Sequence, residues 1–479
     1  MTYRQFALFC LFVLINEIIY SSVVVLLVDE LWPIATPIPQ AEIVMVSSHP
    51  PQSPPSVMVA MAPTTSGNPA TPTTTPLPSP TPTPTATPSF TPTITPTITP
   101  TPTSTPTPAF PAETINVVLL GIDRRSEKAT WRTDSMIVAS INRPAKTVGL
   151  LSIPRDLWVS ISGHGQGRIN TADYLGERTG YEGGGSALVK KTIEDNLGIP
   201  VHYYVRVDFQ GFVNIVDTLG GVTVDVDCAV NDWFLDSTSS TGYTLLKLPV
   251  GIYHMDGKTA LMYSRSRRGG SDFDRIRRQQ KVLRGLWEGL MKPDILPKIP
   301  QLVAMLSDSF QTDLGLNEIL SLAYLGVQLE PYRIRSRFID RSMVSGWTTP
   351  EGAQVLLPNQ ERINQAVAEF LTMPGNEGER LAEEGAQIFV WNGTTSPHLV
   401  EVVATRLTRE GFQVAGTGPA DRLDYATTII IDYTGKQYTL EVLSRTLGVK
   451  QANVRPYQDP ASPIDIGVIL GRDFKACSY

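Results

Sequence analysis

The sequence predicts an α/β fold in which helices cover both faces of a layered, mixed β-sheet, with a smaller α/β domain at the C-terminus. Strand-like apolar runs alternate with segments of helical periodicity from 114 to 372, as in a sheet whose strands are joined by helices. The same alternation returns from 386 to 475, after a Gly/Glu-rich linker at 373–385. The part before 114 shows neither period, and we predict a transmembrane helix and a disordered stalk there.

The elements of the first domain follow from its buried-strand patterns. INVVLLGID, SMIVASINR and TVGLLSIP are short apolar runs that predict strands. Helical periodicity follows in SALVKKTIEDNLG, which Gly198 and Pro200 end. The stretch YYVRVDFQGFVNIVDTLGGVTVDV then predicts a strand, a helix, a turn and another strand.

The second domain is predicted from a repeat of the same two periods. AQIFVWN, FQVAG, TTIIIDY and DIGVILG read as strands, and SPHLVEVVATRLTREG and YTLEVLSRTLG read as helices. Its length of about ninety residues lies within the usual range for a domain.

The N-terminal apolar run, 6–28, is long enough to cross a bilayer as a helix. Asn16 and Glu17 near its middle are unfavourable in lipid, but no small-residue cleavage site follows the run clearly. Arg4 before it and acidic residues after it favour an N-terminus inside and the remainder outside. We interpret the run as a single-pass signal anchor in the cell membrane. A cleaved signal peptide is the alternative, and both export the remainder.

The segment 33–112 is a Thr/Pro tract that holds more than half of the 39 prolines. Such a composition cannot bury a core, so the tract stays unfolded or samples polyproline II. Its ends lie roughly 50 Å apart as a coil, and it reaches about 250 Å in polyproline II. We therefore predict a disordered stalk that spaces the folded part from the membrane.

Composition argues against several functional classes. The net charge of −6, without long Lys/Arg runs, makes nucleic acid a poor partner, because duplex affinity depends on phosphate neutralisation. The five histidines lack zinc-ligand spacing. Cys10, Cys228 and Cys477 do not make a disulfide framework. Cys228 and Cys477 could pair only if both ends of the folded region met, which we do not expect.

Arginines concentrate in the stretch ALMYSRSRRGGSDFDRIRRQQ. We predict a strand over Leu261–Arg267, which would place Tyr263, Arg265 and Arg267 on one face by the two-residue period. A short Gly-containing loop then leads into a helix. The arginines would therefore meet at a strand-to-helix junction.

On that helix, Asp272 or Asp274 can cap the first turn, and Arg275 and Gln279 share one face. Guanidinium groups brought together without an acidic run suit a polyanion, and phosphate best, because it accepts bidentate hydrogen bonds. A solvated arginine-rich surface is the alternative. The buried stripe is predicted on the opposite face, formed by Ile276, Leu283, Leu286 and Leu290.

Charged residues also mark the ends of three predicted strands. Asp123 ends one strand, Asp134 begins the next with Arg132 just before it, and Arg155 and Asp156 follow a third. Ligands of α/β sheets bind at such strand ends. Two carboxylates beside a pyrophosphate are also a usual way to hold Mg²⁺. Each Asp taken alone is better explained as a turn residue or as part of a salt bridge, and it is the occurrence of all three clusters at strand ends that favours a site.

Taken in order, the motifs DRR…RTD, SIPRD, RIN, GGV, YSRSR and DFDRIRRQQ resemble those of the LytR–CpsA–Psr family of wall-polymer ligases. The resemblance is dense from Ile115 to Leu290 and thins toward Phe370. The segment from Gln387 to Phe474, with WNGTT and GVILGRDF, resembles the domain often found C-terminal in that family. SIPRD followed by DFDRIRRQQ is its most specific part.

The resemblance implies a Mg²⁺-dependent transferase, with Mn²⁺ as a possible substitute. It would bind a polyprenyl-pyrophosphate-linked glycopolymer, with the lipid chain in an apolar groove and the head group on arginines. It would then join the sugar phosphate to a peptidoglycan hydroxyl. Asp123 and Asp134 would be the metal carboxylates, and Asp272 would hold Arg267 or Arg275 in place. Arg124 and Arg125 compete for the arginine role of the first motif. The residues implied to bind the pyrophosphate are Arg125, Arg132, Arg155, Arg265, Arg267, Arg275 and Gln279.

Two other functions remain open at this stage. The chain could bind polyprenyl phosphates or wall glycan without turnover, or it could hydrolyse the pyrophosphate with water as acceptor. The pair of Asp123 and Asp134 favours an enzyme over a binding protein.

Overall fold

The computed structural model describes residues 114–123, 130–236, 242–267, 272–292, 295, 299–371 and 376–477. The predicted anchor at 6–28, the predicted stalk at 33–112 and Arg125 lie outside these ranges. Within them, no helix combines the length and the apolar character needed to cross a membrane.

The first domain contains eight helices and fourteen strands among the described residues. In chain order these are β1 (Thr114–Ile122), β2 (Thr133–Asn142), β3 (Thr147–Ser152), β4 (Trp158–Ile161), β5 (Gly165–Arg168), α1 (Ala172–Thr179), α2 (Gly184–Leu197), β6 (Tyr203–Asp208), α3 (Phe209–Thr218), β7 (Val222–Val226), β8 (Val230–Leu235), β9 (Tyr243–Leu248), β10 (Gly251–Met255), α4 (Gly257–Arg265), α5 (Asp272–Leu290), α6 (Ile299–Leu306), β11 (Phe310–Thr312), α7 (Leu316–Val327), β12 (Ile334–Phe338), β13 (Val344–Thr348), β14 (Gln354–Pro358) and α8 (Gln360–Leu371).

A six-stranded sheet with the order β11-β6-β1-β2-β3-β12 organises this domain. β1 pairs with β6 in parallel and with β2 antiparallel, and β3 pairs antiparallel with β2 and parallel with β12. The prediction of a mixed α/β sheet is therefore confirmed.

Helices cover both faces of this sheet, because its apolar residues alternate between them. Val118 and Met136 point into a core shared with α2 and α8. Their neighbours Leu119 and Ile137 point to the other face, where Leu283 of α5 packs. The second face, together with α3 and α5, borders the main cavity of the domain.

The strand that we predicted over Leu261–Arg267 is wrong, because this segment belongs largely to helix α4. The Asp256 carboxylate accepts a hydrogen bond from the Thr259 amide at 2.8 Å and caps the helix. Tyr263 is buried in a core with Val224 of β7, whereas Arg265 ends the helix on an exposed side. A cap and a buried helical face thus outweigh the short alternation of polar and apolar residues.

The second domain has a five-stranded sheet of order β16-β15-β19-β17-β18 with helices α10 and α11 packed into its core. Its predicted strands and helices are all present. Helix α9 occupies part of the segment that we predicted as a linker, and its Leu381 is buried in the core of this domain. The elements are α9 (Asn376–Glu384), β15 (Gln387–Asn392), α10 (Leu399–Glu410), β16 (Gln413–Pro419), β17 (Ile429–Asp432), α11 (Gln437–Leu447), β18 (Val454–Pro456) and β19 (Ile466–Leu470).

Contacts between the two domains include ion pairs and a hydrogen bond on the outer face of α5. Arg409 of α10 pairs with Glu288 of α5 at 2.7 Å and also with Asp225 of β7. Arg284 of α5 donates to the carbonyl oxygen of Arg409 at 3.3 Å. The second domain therefore supports the outer face of α5, the helix that carries Arg275 and Gln279.

The expectation that Cys228 and Cys477 do not pair is wrong. The chain returns to the first domain after β19, and the two residues form a disulfide with a Cα–Cα distance of 5.1 Å. Arg277 of α5 donates to the carbonyl oxygen of Cys477 at 2.9 Å. The two ends of the folded region therefore do meet.

Candidate functional site

A cavity of about 1010 Å³ lies between the sheet and helices α3, α4 and α5. Its apolar lining consists of Leu119, Leu120, Ile137, Val205, Val207, Phe209, Phe212, Ile215, Phe234, Leu261, Val282, Leu283, Leu286, Trp287 and Leu290. Its polar lining consists of Asp123, Thr130, Arg132, Asp134, Ser135, Arg155, Asp208, Ser264, Arg265, Arg267, Arg275 and Gln279.

Helix α5 shows how the two kinds of lining are arranged. Arg275 and Gln279 line the cavity near the start of the helix, and Leu283, Leu286 and Leu290 line it further along. The rise of a helix separates Arg275 from Leu290 by about 22 Å. The cavity is therefore an elongated groove that is cationic near the start of α5 and apolar toward its end.

This arrangement corrects the predicted position of the apolar stripe of α5. Ile276 is buried, as predicted, but Leu283, Leu286 and Leu290 lie on the same side as Arg275 rather than opposite it. The opposite side of α5 carries charged residues that contact the second domain. Both sides of the helix are thus covered, which its sequence pattern did not indicate.

Asp123 and Asp134 reach the cavity from adjacent strands. Ile122 pairs with Thr133 and Gly121 pairs with Ser135, so Asp134 is the extra residue of a β-bulge in β2. The Asp123 amide donates to the carbonyl oxygen of Arg132 at 3.1 Å, which continues the pairing past the end of β1. The register therefore brings both carboxylates to one end of the β1–β2 pair.

Arg155 connects this carboxylate pair to the start of α5. Its guanidinium lies 2.7 Å from Asp134, 3.3 Å from Asp156 and 3.8 Å from Asp272. Burial alone would lower the pKa of Arg155, but its hydrogen bond to Asp134 and the charges of all three carboxylates outweigh burial and raise that pKa. Arg155 is therefore held as a firmly charged, oriented cation.

Asp272 also binds the two arginines that we expected it to orient. It lies 3.6 Å from Arg267 and 3.5 Å from Arg275. Burial lowers the pKa of Arg275 to about 10. The attraction of Asp272 raises this pKa, whereas repulsion by Arg155 and Arg267 lowers it further. The Nε of Arg275 is buried without a hydrogen-bond partner. Arg275 is thus an incompletely compensated cation lining the cavity, which favours binding of an anion.

Arg265 and Arg132 complete the cationic lining from other elements. Arg265, at the end of α4, lies over the ring of Phe209 with its guanidinium carbon 4.2 Å from the ring centre. Beside Arg132, Trp131 donates to Asp173 at 2.9 Å and packs edge-on against Tyr174. These contacts fix the backbone that leads into Asp134.

All the predicted site residues that the structure describes line the cavity, except Asp272, which contacts three that do. Sequence reasoning missed four polar lining residues. Asp208 is one of them, and it offered the same signal as Asp123, a carboxylate at the end of an apolar strand. Its side chain is engaged as the cap of α3, accepting from the Gly211 amide at 2.7 Å. The other three are Thr130, Ser135 and Ser264.

The carboxylates of Asp123 and Asp134 are the groups in the cavity that fit a divalent cation. Mg²⁺ typically takes one or two protein carboxylates and completes its shell with water and phosphate oxygens. Within the described ranges, no group of three or more His, Cys, Asp or Glu side chains forms a metal cage. The donor set therefore fits an ion shared with a phosphate ligand rather than a metal held by protein alone.

Comparison with known proteins gives consistent matches to both domains. The sequence profile of the LytR–CpsA–Psr family matches residues 97–370, and the profile described as LytR cell envelope-related transcriptional attenuator matches 385–474. A Bacillus subtilis relative, polyisoprenyl-teichoic acid–peptidoglycan teichoic acid transferase TagT, is 28% identical over 263 residues, covering 54% of this chain and 76% of the relative.

A second relative, named as the corresponding transferase TagU of Oceanobacillus iheyensis, is 33% identical over 212 residues. That alignment covers 44% of this chain and 62% of the relative. Among solved structures, the crystal structure of B. subtilis TagV matches with 28% identity and a TM-score of 0.45, covering 54% of this chain and 97% of that one.

Proposed function

Because the chain belongs to the LytR–CpsA–Psr family, we propose that it moves a glycopolymer phosphate from a polyprenyl-pyrophosphate carrier to a hydroxyl of peptidoglycan. The observation that carries this proposal is one cavity that joins a long apolar groove to a cluster of arginines and two carboxylates. The names of the TagT and TagU relatives, both polyisoprenyl-teichoic acid–peptidoglycan transferases, support the same reaction class.

The apolar groove would hold the polyprenyl chain. It is lined by leucines, valines and aromatic side chains, and its apolar stretch along α5 runs for about 12 Å from Val282 to Leu290. Burial of hydrocarbon stabilises a complex by about 0.8 kcal/mol for each CH₂ group. The groove therefore suits a long apolar chain, whereas a soluble sugar phosphate would leave most of it unfilled.

The arginines would bind the pyrophosphate and stabilise the leaving group. In the reaction, the acceptor hydroxyl oxygen bonds to the phosphorus that carries the sugar. The bond from that phosphorus to the bridging oxygen breaks, and polyprenyl phosphate leaves with the electron pair. Four arginines that line the cavity would neutralise the charge that develops on the bridging oxygen: Arg155, Arg265, Arg267 and Arg275.

The carboxylates would serve the acceptor side of the reaction. Asp123 or Asp134 would accept the proton of the attacking hydroxyl. Mg²⁺, or Mn²⁺ in its place, held by the same two residues, would neutralise charge on the phosphate oxygens. Asp134 already pairs with Arg155 at 2.7 Å, so the positions of cation and carboxylate are linked.

The predicted N-terminal segments fit an enzyme that works outside the cell on a membrane-borne donor. We propose that 6–28 anchors the chain in the cell membrane as a single-pass helix, and that the disordered stalk 33–112 is a flexible tether, roughly 50 Å from end to end as a coil, within which the head can reach the bilayer. The energy of transfer is stored in the lipid pyrophosphate, so no nucleotide is required outside the cell.

The test uses the full chain in detergent with a polyprenyl-pyrophosphate-linked glycopolymer, with and without peptidoglycan, with Mg²⁺ or with a chelator. We expect polyprenyl phosphate and peptidoglycan-bound polymer to appear together, and only with Mg²⁺. Release of polyprenyl phosphate without bound polymer would instead indicate a hydrolase. Binding without release, unchanged by Asp134→Asn, would indicate a non-catalytic binding protein. Asp308→Asn, at an exposed site outside the cavity, is the matched control.

A further inference from the structure

The hairpin of β8 and β9 displays a concentrated group of exposed apolar side chains. Leu235 is 79% exposed, Trp233 53%, Tyr243 51% and Leu245 41%. Trp233 lies directly opposite Leu245, and Leu235 opposite Tyr243, so the four side chains form two neighbouring cross-strand pairs. Such a contiguous apolar surface on a hairpin indicates an interaction site.

The inner face of the same hairpin belongs to the cavity. Phe234, between Trp233 and Leu235, lines the apolar groove. Asp232 accepts hydrogen bonds from the Ser266 hydroxyl at 3.0 Å and from the Arg267 amide at 3.1 Å. The hairpin is therefore a wall of the groove on one face and an exposed apolar surface on the other.

We propose that the outward face of the β8–β9 hairpin docks on the lipid bilayer and brings the groove to the membrane surface, so that the polyprenyl chain passes between bilayer and groove without crossing water. This inference rests on the proposed function. Trp and Tyr are the residues enriched where proteins meet the membrane–water interface, because each has an apolar body and a polar group.

The charge of the outward face agrees with a bilayer as its partner. Its remaining exposed positions within β8 and β9 are Asn231 and Lys247, which pair with each other across the strands, so the described residues of this face include no acidic side chain. Asp236, at the end of β8, is only 10% exposed and is neutralised by Lys258 at 2.7 Å. One basic residue and no acidic residue among the described positions of β8 and β9 on this face suit the anionic surface of a membrane.

The part of the chain before the described residues supports the same occupant. The head begins at Thr114, and the apolar run 6–28 that we interpret as a membrane anchor precedes it in the sequence. A tether of that kind keeps the head near a bilayer and raises the effective concentration of membrane at the hairpin. Weak individual contacts of a few apolar side chains are then sufficient for docking.

The test reconstitutes the full chain, one copy per nanodisc, in phosphatidylethanolamine and phosphatidylglycerol brominated on the acyl chains. Bromine quenches tryptophan fluorescence on contact. We expect the tryptophan fluorescence of the wild type to be quenched more strongly than that of Trp233→Phe, because the variant lacks the tryptophan that contacts the brominated chains. Trp347→Phe, which removes an exposed tryptophan on the β13–β14 hairpin, should behave as the wild type. Equal quenching of the wild type and Trp233→Phe would overturn the proposal. The proposal would also be overturned if, in detergent without a bilayer, a second copy of the chain covered Trp233.

A second measurement separates docking from folding and from the proposed chemistry. The double variant Trp233→Ser/Leu235→Ser should use a donor embedded in vesicles roughly tenfold less well than the wild type. It should use a water-soluble short-chain donor as well as the wild type, because neither side chain lines the cavity. Equal losses on both donors would overturn the proposal. Quenching of Trp233 without transfer from either donor would support docking while the proposed function fails.

Discussion

Replacing Arg275 by Met is predicted to stabilise the protein and to impair its reaction. Arg275 is 3% exposed, its Nε has no hydrogen-bond partner, and its neighbours include the cations Arg155 and Arg267. Burial lowers its pKa to about 10, a shift that corresponds to about 3 kcal/mol of unfavourable free energy for the charged form. Methionine has a similar shape without a charge, and the carboxylate left behind, Asp272, keeps Arg155 and Arg267 as partners and is partly exposed, so the substitution leaves no unpaired buried charge.

The sign of this effect with pH follows from the lowered pKa. A base whose pKa is lower in the folded state destabilises the fold while it is protonated, and the destabilisation fades as pH rises through the folded value. At neutral pH the full effect is therefore present. Arg275→Met should raise the melting temperature of the first domain by about 6 °C.

The same substitution should weaken donor use roughly 100-fold, because charge-assisted hydrogen bonds to the pyrophosphate are lost. Calorimetry of the full chain and release of polyprenyl phosphate measure the two effects. Arg277→Met is the matched control, because Arg277 lies on α5 but does not line the cavity. Arg277 donates to the Cys477 carbonyl oxygen at 2.9 Å and pairs with Asp274 at 3.2 Å. The control should lower the melting temperature and keep the activity. A lower melting temperature for Arg275→Met than for the wild type would instead show that Arg275 is a structural cation that stabilises the fold.

Three further substitutions test other parts of the account. Asp134→Asn removes the partner of Arg155 and a proposed metal carboxylate, so release of polyprenyl phosphate should fall by roughly 100-fold or more, whereas Asp308→Asn should match the wild type. Leu286→Asp places a charge in the groove, so it should reduce transfer from a long polyprenyl donor roughly tenfold more than transfer from a short-chain donor. Equal reductions for the two donors would argue against a lipid in the groove. Arg409→Met removes the ion pairs with Glu288 and Asp225 and should destabilise the full chain by about 3 kcal/mol, as measured by thermal unfolding. Burial opposes ionisation of Asp225, but Lys281 and Arg409 outweigh it and lower its pKa, so this stabilisation is present above the usual aspartate pKa and is lost as pH falls through the folded value. The melting temperature of the wild type should therefore fall more steeply in acid than that of Arg409→Met.

The polar end of the cavity was predictable because its residues lie at the ends of apolar runs. Asp123, Asp134 and Arg155 each flank a strand that its own sequence defines, and a sheet brings such ends together. The bulge that exposes Asp134 as an extra residue was not predictable, because it depends on the pairing of β1 with β2. Sequence therefore located the residues, and register determined how they point.

The error at α4 shows the limit of short periodic patterns. Seven residues from 261 to 267 fit a strand as well as the end of a helix, and the deciding signal lies upstream at Asp256. The cap and the buried Tyr263 favour the helix. Arg265 and Arg267 still reach the cavity, because the end of α4 lies beside the start of α5. The site prediction thus depended on sequence proximity more than on the predicted strand.

The positions of the α5 leucines and the Cys228–Cys477 pair could not be predicted, because both depend on the second domain. The charged side of α5, with Arg284 and Glu288, has the pattern of a solvated surface but contacts α10. The cysteines lie 249 residues apart, and only the return of the chain after β19 joins them. Such contacts arise from domain docking, which leaves no local period in a sequence.

In the proposed reaction, the phosphorus atom nearest the sugar travels with the glycopolymer to the wall. A donor labelled with radioactive phosphorus at that position, incubated with the full chain, Mg²⁺ and peptidoglycan, tests it directly. We expect the label to become bound to peptidoglycan while unlabelled polyprenyl phosphate is released. Label that remains on the lipid product, or that appears in soluble polymer while the peptidoglycan stays unlabelled, would contradict it.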